Sequence, residues 1–198
     1  MVGAFIVIGL LALGPGAEPG GVDVMRGVMS AAVAHHVRST DPRVQEWLRI
    51  GAAESQTFRG LLNLLGESDL IVHVQVVDRL ATAGQTYFVT STATVRYVRI
   101  EVTCRGSLSE MVALIGHELQ HAVEIAHEPR IRDRQSLALF YKGMPGNSMT
   151  TTEYDSVAAR VMEDRVRREM WGAVRSDSHP SASTLLAEKG RYKRESGR

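Results

Sequence analysis

The sequence predicts an α+β protein built as a single compact domain. Apolar residues recur with helical spacing near the N-terminus, alternate as in strands between Leu70 and Val102, and return to helical spacing after Ser107. A block of strands between helices is typical of α+β folds. A chain of 198 residues is long enough to bury one core. We therefore predict a domain over residues 22–174 with N-terminal helices, a small sheet, a helix that carries a sequence motif at residues 117–121 (the motif helix) and a C-terminal helix.

The N-terminus carries an apolar run of ten residues, Ala4 to Leu13, followed by a segment rich in Gly and Pro. Such a run is too short to cross a bilayer, and its length matches the hydrophobic region of a secretory signal. We predict that residues 1–17 form a signal peptide and that the protein is exported, either to a periplasm or as a secreted protein. The alternative is an uncleaved anchor at residues 4–13, which would then be the only contact with a membrane.

The C-terminal end and the overall charge limit the partners that we expect. Residues 175–198 are polar and rich in serine, so we predict a disordered tail. A net charge of +1 gives no reason to expect nucleic acid as a partner. Cys104 is the only cysteine, which excludes an intrachain disulfide. We predict that it is a small buried hydrophobic residue at the end of the strand region.

Three helices are predicted before the sheet. The first has helical spacing between Val22 and Val37. The second begins at Asp41-Pro42, where an N-cap residue precedes a proline in the first helical position. The third begins at Ser55 and ends at Gly66. Its predicted buried positions are Phe58, Leu61, Leu62 and Leu65.

Strands are predicted next, because the segments Leu70 to Val77 and Tyr87 to Val102 are rich in Val, Ile, Thr and Tyr. We expect two or three strands, with a hairpin through Ala83-Gly84. Beyond the motif helix, a short helix over residues 135–141 and a loop over residues 143–148 are expected to lead to the last helix.

The motif helix carries the pattern H-E-x-x-H at residues 117–121. His117 and His121 lie one turn apart on the same face, so both imidazoles can reach one Zn²⁺. Glu118 is then placed to act as a base on a zinc-bound water. Ser107 and Glu110 form an S-x-x-E capping box that begins this helix.

The helix is amphipathic, with its apolar residues opposite the two histidines. This arrangement suits the floor of an active-site cleft. An ordinary helix with a solvated polar face is the alternative interpretation.

A catalytic zinc needs a third protein ligand and an open fourth position. Our first candidate is Glu153, in the segment 151–155 that we predict to begin the last helix, beside an apolar stripe. A carboxylate on that side needs a partner, and a metal ion is one. Asp155 is the second candidate.

His127 is a further candidate for the third ligand. A straight helix carries it about 9 Å beyond His121 along the axis. Glu124 does not favour the left-handed turn that would bring it back. We therefore predict that His127 is a helix-end residue.

The block from Thr94 to Ala126, with G-H-E-L-Q-H-A at its centre, resembles the zincin metallopeptidases. Together with Glu153 it is most similar to small gluzincin-type members and to short exported bacterial proteins with a HELQHA helix. The resemblance is specific only at the motif. It implies a zincin fold in which a cleft at a strand edge lies above the motif helix.

These observations predict a zinc-dependent hydrolase, most simply a metallopeptidase that acts on a peptide or protein substrate. Its zinc would be bound by His117, His121 and Glu153, with Glu118 as the catalytic base. The alternative is an exported zinc-binding protein without peptidase activity, in which four protein ligands close the site.

Overall fold

The computed structural model of the chain describes residues 36–144, 148–150 and 153–177. The side chains of residues 148–150, 153–154 and 174–177 lie outside that description. So do the predicted signal peptide, the predicted first helix up to residue 35, and the tail beyond residue 177. Among the helices that the structure describes, none is long and apolar enough to cross a membrane.

The helices predicted on either side of Ser55 are confirmed. Helix α1 spans Pro42–Glu54, and the Asp41 side chain caps it by accepting from the Arg43 backbone N–H. Helix α2 spans Gln56–Gly66, and the Ser55 hydroxyl accepts from the Phe58 N–H. The predicted inward positions of α2 are buried, namely Phe58, Leu61, Leu62 and Leu65.

The main sheet has four strands, which are β1 (Val37–Arg38), β2 (Leu70–Val77), β3 (Gly84–Ser91) and β4 (Arg96–Thr103). Their spatial order is β1-β2-β4-β3. Strands β1, β2 and β4 run parallel, whereas β3 is antiparallel to β4 and lies at the edge. Val37 therefore belongs to a strand, and the prediction that the first helix reaches it is wrong.

The predicted hairpin through Ala83-Gly84 is also wrong, since β2 does not pair with β3. The hairpin joins β3 to β4 instead, and β2 pairs with β4 in parallel. This register places Val72 beside Val98 and Val74 beside Ile100, and these side chains are all fully buried. Phe88 is the only buried residue of β3. A strand with so few buried side chains is suited to the edge of a sheet.

The motif helix, α3, spans Leu108–His127 and is packed between the sheet and the other helices. The predicted capping box of Ser107 and Glu110 is present in both directions. Helix α3 contacts β3 and β4 on one side and α1, α2 and the last helix on the other. Because it is enclosed on both sides, most of its residues are buried, including polar ones on the motif face.

Two further helices complete the described part of the chain. Helix α4 spans Arg134–Gly143 and includes the short helix predicted in this region. A two-stranded ribbon follows, formed by β5 (Ser148–Thr150) and β6 (Glu153–Asp155). Helix α5 then spans Val157–Asp177. The architecture is α+β, as predicted.

Two local predictions in this region are wrong. Residues 153–155 form a strand, and the last helix begins only at Val157. The reason is that the Ser156 hydroxyl accepts from the Ala159 N–H and so acts as the N-cap. Cys104 is exposed rather than buried, because it follows the last residue of β4 and lies outside the sheet.

Candidate metal centre

The two histidines of the motif point the same ring nitrogen toward a common point. The Nε2 atoms of His117 and His121 are 3.2 Å apart. His121 is buried, and the His117 side chain is 14% exposed. One helical turn between the residues produces this approach, as the motif predicts.

Each histidine is oriented by a carboxylate at its other ring nitrogen. His117 Nδ1 lies 3.0 Å from Glu163 Oε2 on α5. His121 Nδ1 lies 3.0 Å from Glu124 Oε2, one turn along its own helix. A carboxylate accepts the Nδ1 proton and leaves the Nε2 lone pair free to bind a metal. The two carboxylates therefore favour the tautomer that a metal ligand needs.

The contact with Glu163 depends on a close approach of α5 to α3. A Cβ atom added at Gly116 would lie 3.1 Å from Cγ2 of Val166. Glycine beside His117 therefore lets α5 come near enough for Glu163, one turn before Val166, to reach the imidazole. Glu163 also pairs with Arg167. The hydrogen bond from His117 is the main cause of the lowered pKa of Glu163.

Glu124 is the centre of a buried hydrogen-bond network. Besides His121, it accepts from the Tyr141 hydroxyl at 2.9 Å and from the Ser156 hydroxyl at 2.5 Å. Burial opposes its ionisation, but the hydrogen bonds from His121, Ser156 and Tyr141 outweigh that effect and lower the pKa of Glu124. The network ties α3 to α4 and to the start of α5.

Asp155 brings a carboxylate to the same point as the histidines. Its Oδ1 atom lies 3.6 Å from His117 Nε2, is buried and has no hydrogen-bond partner. Its other oxygen pairs with Arg160 at 2.6 Å. One ligand atom each from His117, His121 and Asp155 lie within 4.8 Å of one another. A buried carboxylate oxygen without a donor needs a cation or a proton.

Glu118 faces the edge strand rather than the solvent. Its side chain is 4% exposed, and Thr86 of β3 donates to its Oε2 at 2.7 Å. A Cβ atom added at Gly84 would lie 2.8 Å from Glu118 Oε1, so the carboxylate needs glycine at this point of the strand. Burial is the main cause of the raised pKa of Glu118, and the two histidines oppose it.

A cavity of about 580 Å³ opens over these groups. One wall is β3, from Gly84 to Phe88, and the floor is α3 with the motif residues. Helix α4 adds Arg134, Leu137 and Tyr141 on the opposite side. A cavity of this size, partly apolar with a few converging polar groups, suits a small ligand or a peptide segment.

The structure places the three predicted candidates for the third ligand in different positions. Asp155, the second candidate, joins the histidines, whereas Glu153 lies in β6 with a side chain outside the described set. His127 is exposed at the last position of α3, as predicted for a helix-end residue. Helix α3 continues straight through Glu124, so His127 is not turned back toward His121.

Four residues of the site were not identified from the sequence, namely Gly84, Thr86, Glu124 and Glu163. For Glu124 a signal existed, since it lies three residues after His121 and therefore on the same helix face. For Glu163 and Thr86 the sequence held no such signal. Glu163 is 46 residues from His117 in the chain, and Thr86 is 32 residues from Glu118.

Comparison of the chain with protein-family models, with curated proteins and with solved structures finds no significant match. The conclusions about function therefore rest on the geometry of the site itself.

Proposed function

We propose that this protein is a zinc-dependent hydrolase that cleaves peptide bonds, with a metal site formed by His117, His121 and Asp155. The observation that carries the proposal is the convergence of two oriented imidazole nitrogens and a buried carboxylate oxygen that lacks a donor. Lone pairs that face one another in this way repel unless a cation or a proton lies between them.

The spacing of the two imidazole nitrogens supports zinc. Zn–N bonds of about 2.0–2.1 Å at tetrahedral angles separate two imidazole nitrogens by roughly 3.3–3.4 Å. The His117 and His121 Nε2 atoms are 3.2 Å apart. The cluster offers three ligand groups among the described residues, and three protein ligands with an open position are typical of catalytic zinc.

The position of Glu118 supports hydrolysis over a purely structural site. A zinc ion bound here would lower the pKa of a water molecule and polarise a carbonyl group. Glu118 lies between the histidines and β3, where its carboxylate can accept a proton from the attacking water and return it to the leaving amine. Thr86 holds the carboxylate in place.

The edge strand supports a peptide as the substrate. Strand β3 pairs with β4 on one side, and among the described residues no other strand pairs with it. It also forms a wall of the cavity beside Glu118. A free strand edge can align an extended peptide by backbone hydrogen bonds, which would place a peptide bond over the site.

The proposal is tested by the metal content of the purified full chain, measured for all first-row metals by mass spectrometry. We expect about one zinc per chain in the wild type. The variants His121→Ala and Asp155→Asn should lose it, whereas the matched variants Glu153→Gln and His127→Ala should keep it. The absence of zinc from the reconstituted wild type, or one bound iron in its place, would refute the proposal.

A second prediction follows from the buried hydrogen-bond network around Glu124. Replacing Glu124 with glutamine removes the anionic acceptor of His121 Nδ1, and loss of such a partner weakens metal binding by about 10- to 100-fold. The affinity should be measured by competition with a chelator of known zinc affinity.

The control for this prediction is Glu46→Gln, which removes an exposed carboxylate that pairs only with Arg49 on α1. It should leave zinc affinity unchanged. Equal affinities for Glu124→Gln and the wild type would show that Glu124 has only a packing role.

A further inference from the structure

The part of the cavity wall formed by α4 carries a positive charge that the proposed chemistry does not use. Among the described residues that line the cavity, Arg134, the first residue of α4, is the only Lys or Arg. It is exposed to solvent rather than buried in the core.

The guanidinium of Arg134 is available to a ligand. Its Nε donates weakly to the Phe88 carbonyl at 3.4 Å, and its terminal amines have no partner among the described residues. The three acids that line the described part of the cavity have other partners, since Asp155 pairs with Arg160, Glu163 with His117 and Arg167, and Glu118 accepts from Thr86. The charge of Arg134 is therefore not neutralised within the described part of the chain.

The carbonyl that Arg134 contacts lies at an irregularity of β3. The register with β4 shifts between Phe88 and Thr90, which leaves Val89 as an extra residue. Such bulges redirect backbone groups at a strand edge. Here the bulge lies beside the guanidinium, at the far end of the strand segment that lines the cavity.

The distance from Arg134 to the motif can be estimated along helix α4 and along strand β3. On α4, Arg134 and Tyr141 are two turns apart, which is about 10 Å along the axis, and the Tyr141 hydroxyl lies 3.0 Å from His121 Nδ1. On β3, Phe88 follows Thr86 by two residues, or about 7 Å, and Thr86 contacts Glu118. Both distances correspond to two or three residues of an extended peptide.

Two apolar side chains border the cavity between these two points. Leu137 lies one turn after Arg134 on the same face of α4, and both Leu137 and Phe88 line the cavity. A ligand that spans the cavity would therefore meet the motif at one end, apolar side chains in the middle and a guanidinium at the other end.

We propose that Arg134 is a specificity residue that binds a carboxylate of the substrate, two or three residues from the hydrolysed bond. The inference rests on the proposed zinc-hydrolase function and names its substrate class, which is short peptide segments with an apolar residue followed by an anionic group. A guanidinium binds carboxylates through paired N–H donors, which a lysine or glutamine cannot reproduce. The carboxylate is that of an acidic side chain or of a C-terminus.

The test uses binding of short peptides that carry a hydroxamate, a zinc-binding group, at one end. One pair of probes differs only in Glu or Gln at the second residue from the hydroxamate. Another pair ends at that residue with a free carboxylate or a carboxamide. Acetohydroxamate, which reaches only the metal, reports on the metal site by itself. Affinities for the zinc-loaded full chain are measured by calorimetry.

We expect the acidic member of at least one pair to bind the wild type about tenfold more tightly. This preference should disappear in Arg134→Gln, with acetohydroxamate binding unchanged. A preference in only the first or only the second pair identifies a side-chain or a terminal carboxylate, respectively.

The matched control is Arg132→Gln. Arg132 is exposed on the same segment and donates to the Thr92 carbonyl, but it does not line the cavity. This variant should retain the preference. A wild type without a preference, or a preference that survives in Arg134→Gln, would overturn the inference while leaving the metal site intact. Failure of acetohydroxamate to bind the wild type would overturn the proposed function, and this inference with it.

Discussion

Replacing Glu118 with glutamine is expected to lower the rate of peptide hydrolysis by about 100- to 10,000-fold, the range that a general base contributes. The amide has nearly the same shape but cannot accept the proton of the attacking water. Zinc content should stay at the wild-type value, because Glu118 is not among the ligand groups. The measurement is hydrolysis of a quenched fluorescent peptide library by samples with equal zinc content.

The same variant should be at least as stable as the wild type. Glu118 is buried, and burial penalises its ionised form, so a neutral side chain of the same size removes that cost. Glu67→Gln, on the exposed C-cap of α2, is a control for loss of one negative charge and should be fully active. Undiminished hydrolysis by Glu118→Gln would eliminate the assigned role of Glu118.

The second large effect is expected at Arg96, at the start of β4, which is 1% exposed. Its guanidinium donates to the Ile125 and Ala126 carbonyls at the end of α3, at 2.7 and 3.0 Å. It also pairs with Asp69 at 2.6 Å and lowers the pKa of that carboxyl. One side chain thus adds donors to the carbonyls at the end of α3, where the Ile125 carbonyl also accepts from the Glu128 N–H.

Replacing Arg96 with methionine is expected to lower the free energy of unfolding by about 3 kcal/mol, the lower end of the range for broken buried ion pairs, because the Asp69 side chain is 33% exposed. Methionine fills similar space but removes the side-chain donor of the Ile125 and Ala126 carbonyls and the cationic partner of Asp69. Urea denaturation followed by circular dichroism measures the change.

Arg99→Met on the same strand is the matched control, because the Arg99 side chain is 40% exposed and pairs with Glu101. Its expected cost is under about 1 kcal/mol. Similar losses for the two variants would show that the buried network of Arg96 does not stabilise the end of the motif helix.

The parts of the fold that were predicted correctly are those in which the signal is local. Caps at Asp41, Ser55 and Ser107 lie within three residues of the N–H groups they bind, so they mark helix starts in any fold. Strand pairing is not local in this sense. Strand β2 pairs in parallel with β4 and not with β3, because β4 buries more apolar side chains in the whole sheet than β3 does.

The same distinction applies to the candidate site. The sequence by itself determined that His117 and His121 share a helix face with Glu118 beside them, because a separation of four residues is one helical turn. It did not determine which carboxylate meets them. Among the described side chains, only the tertiary structure brings the Asp155 carboxylate to them, because residues 153–155 form a strand and α5 begins after its N-cap residue Ser156.

The surroundings of the motif were likewise decided by packing. Thr86 reaches Glu118 through the position of β3 at the sheet edge, and Glu163 reaches His117 through the close contact of α5 with Gly116. Such contacts join residues more than 30 positions apart. The physical reason is that local spacing sets the direction of a side chain on its own element, whereas its partners depend on how all the elements pack into one core.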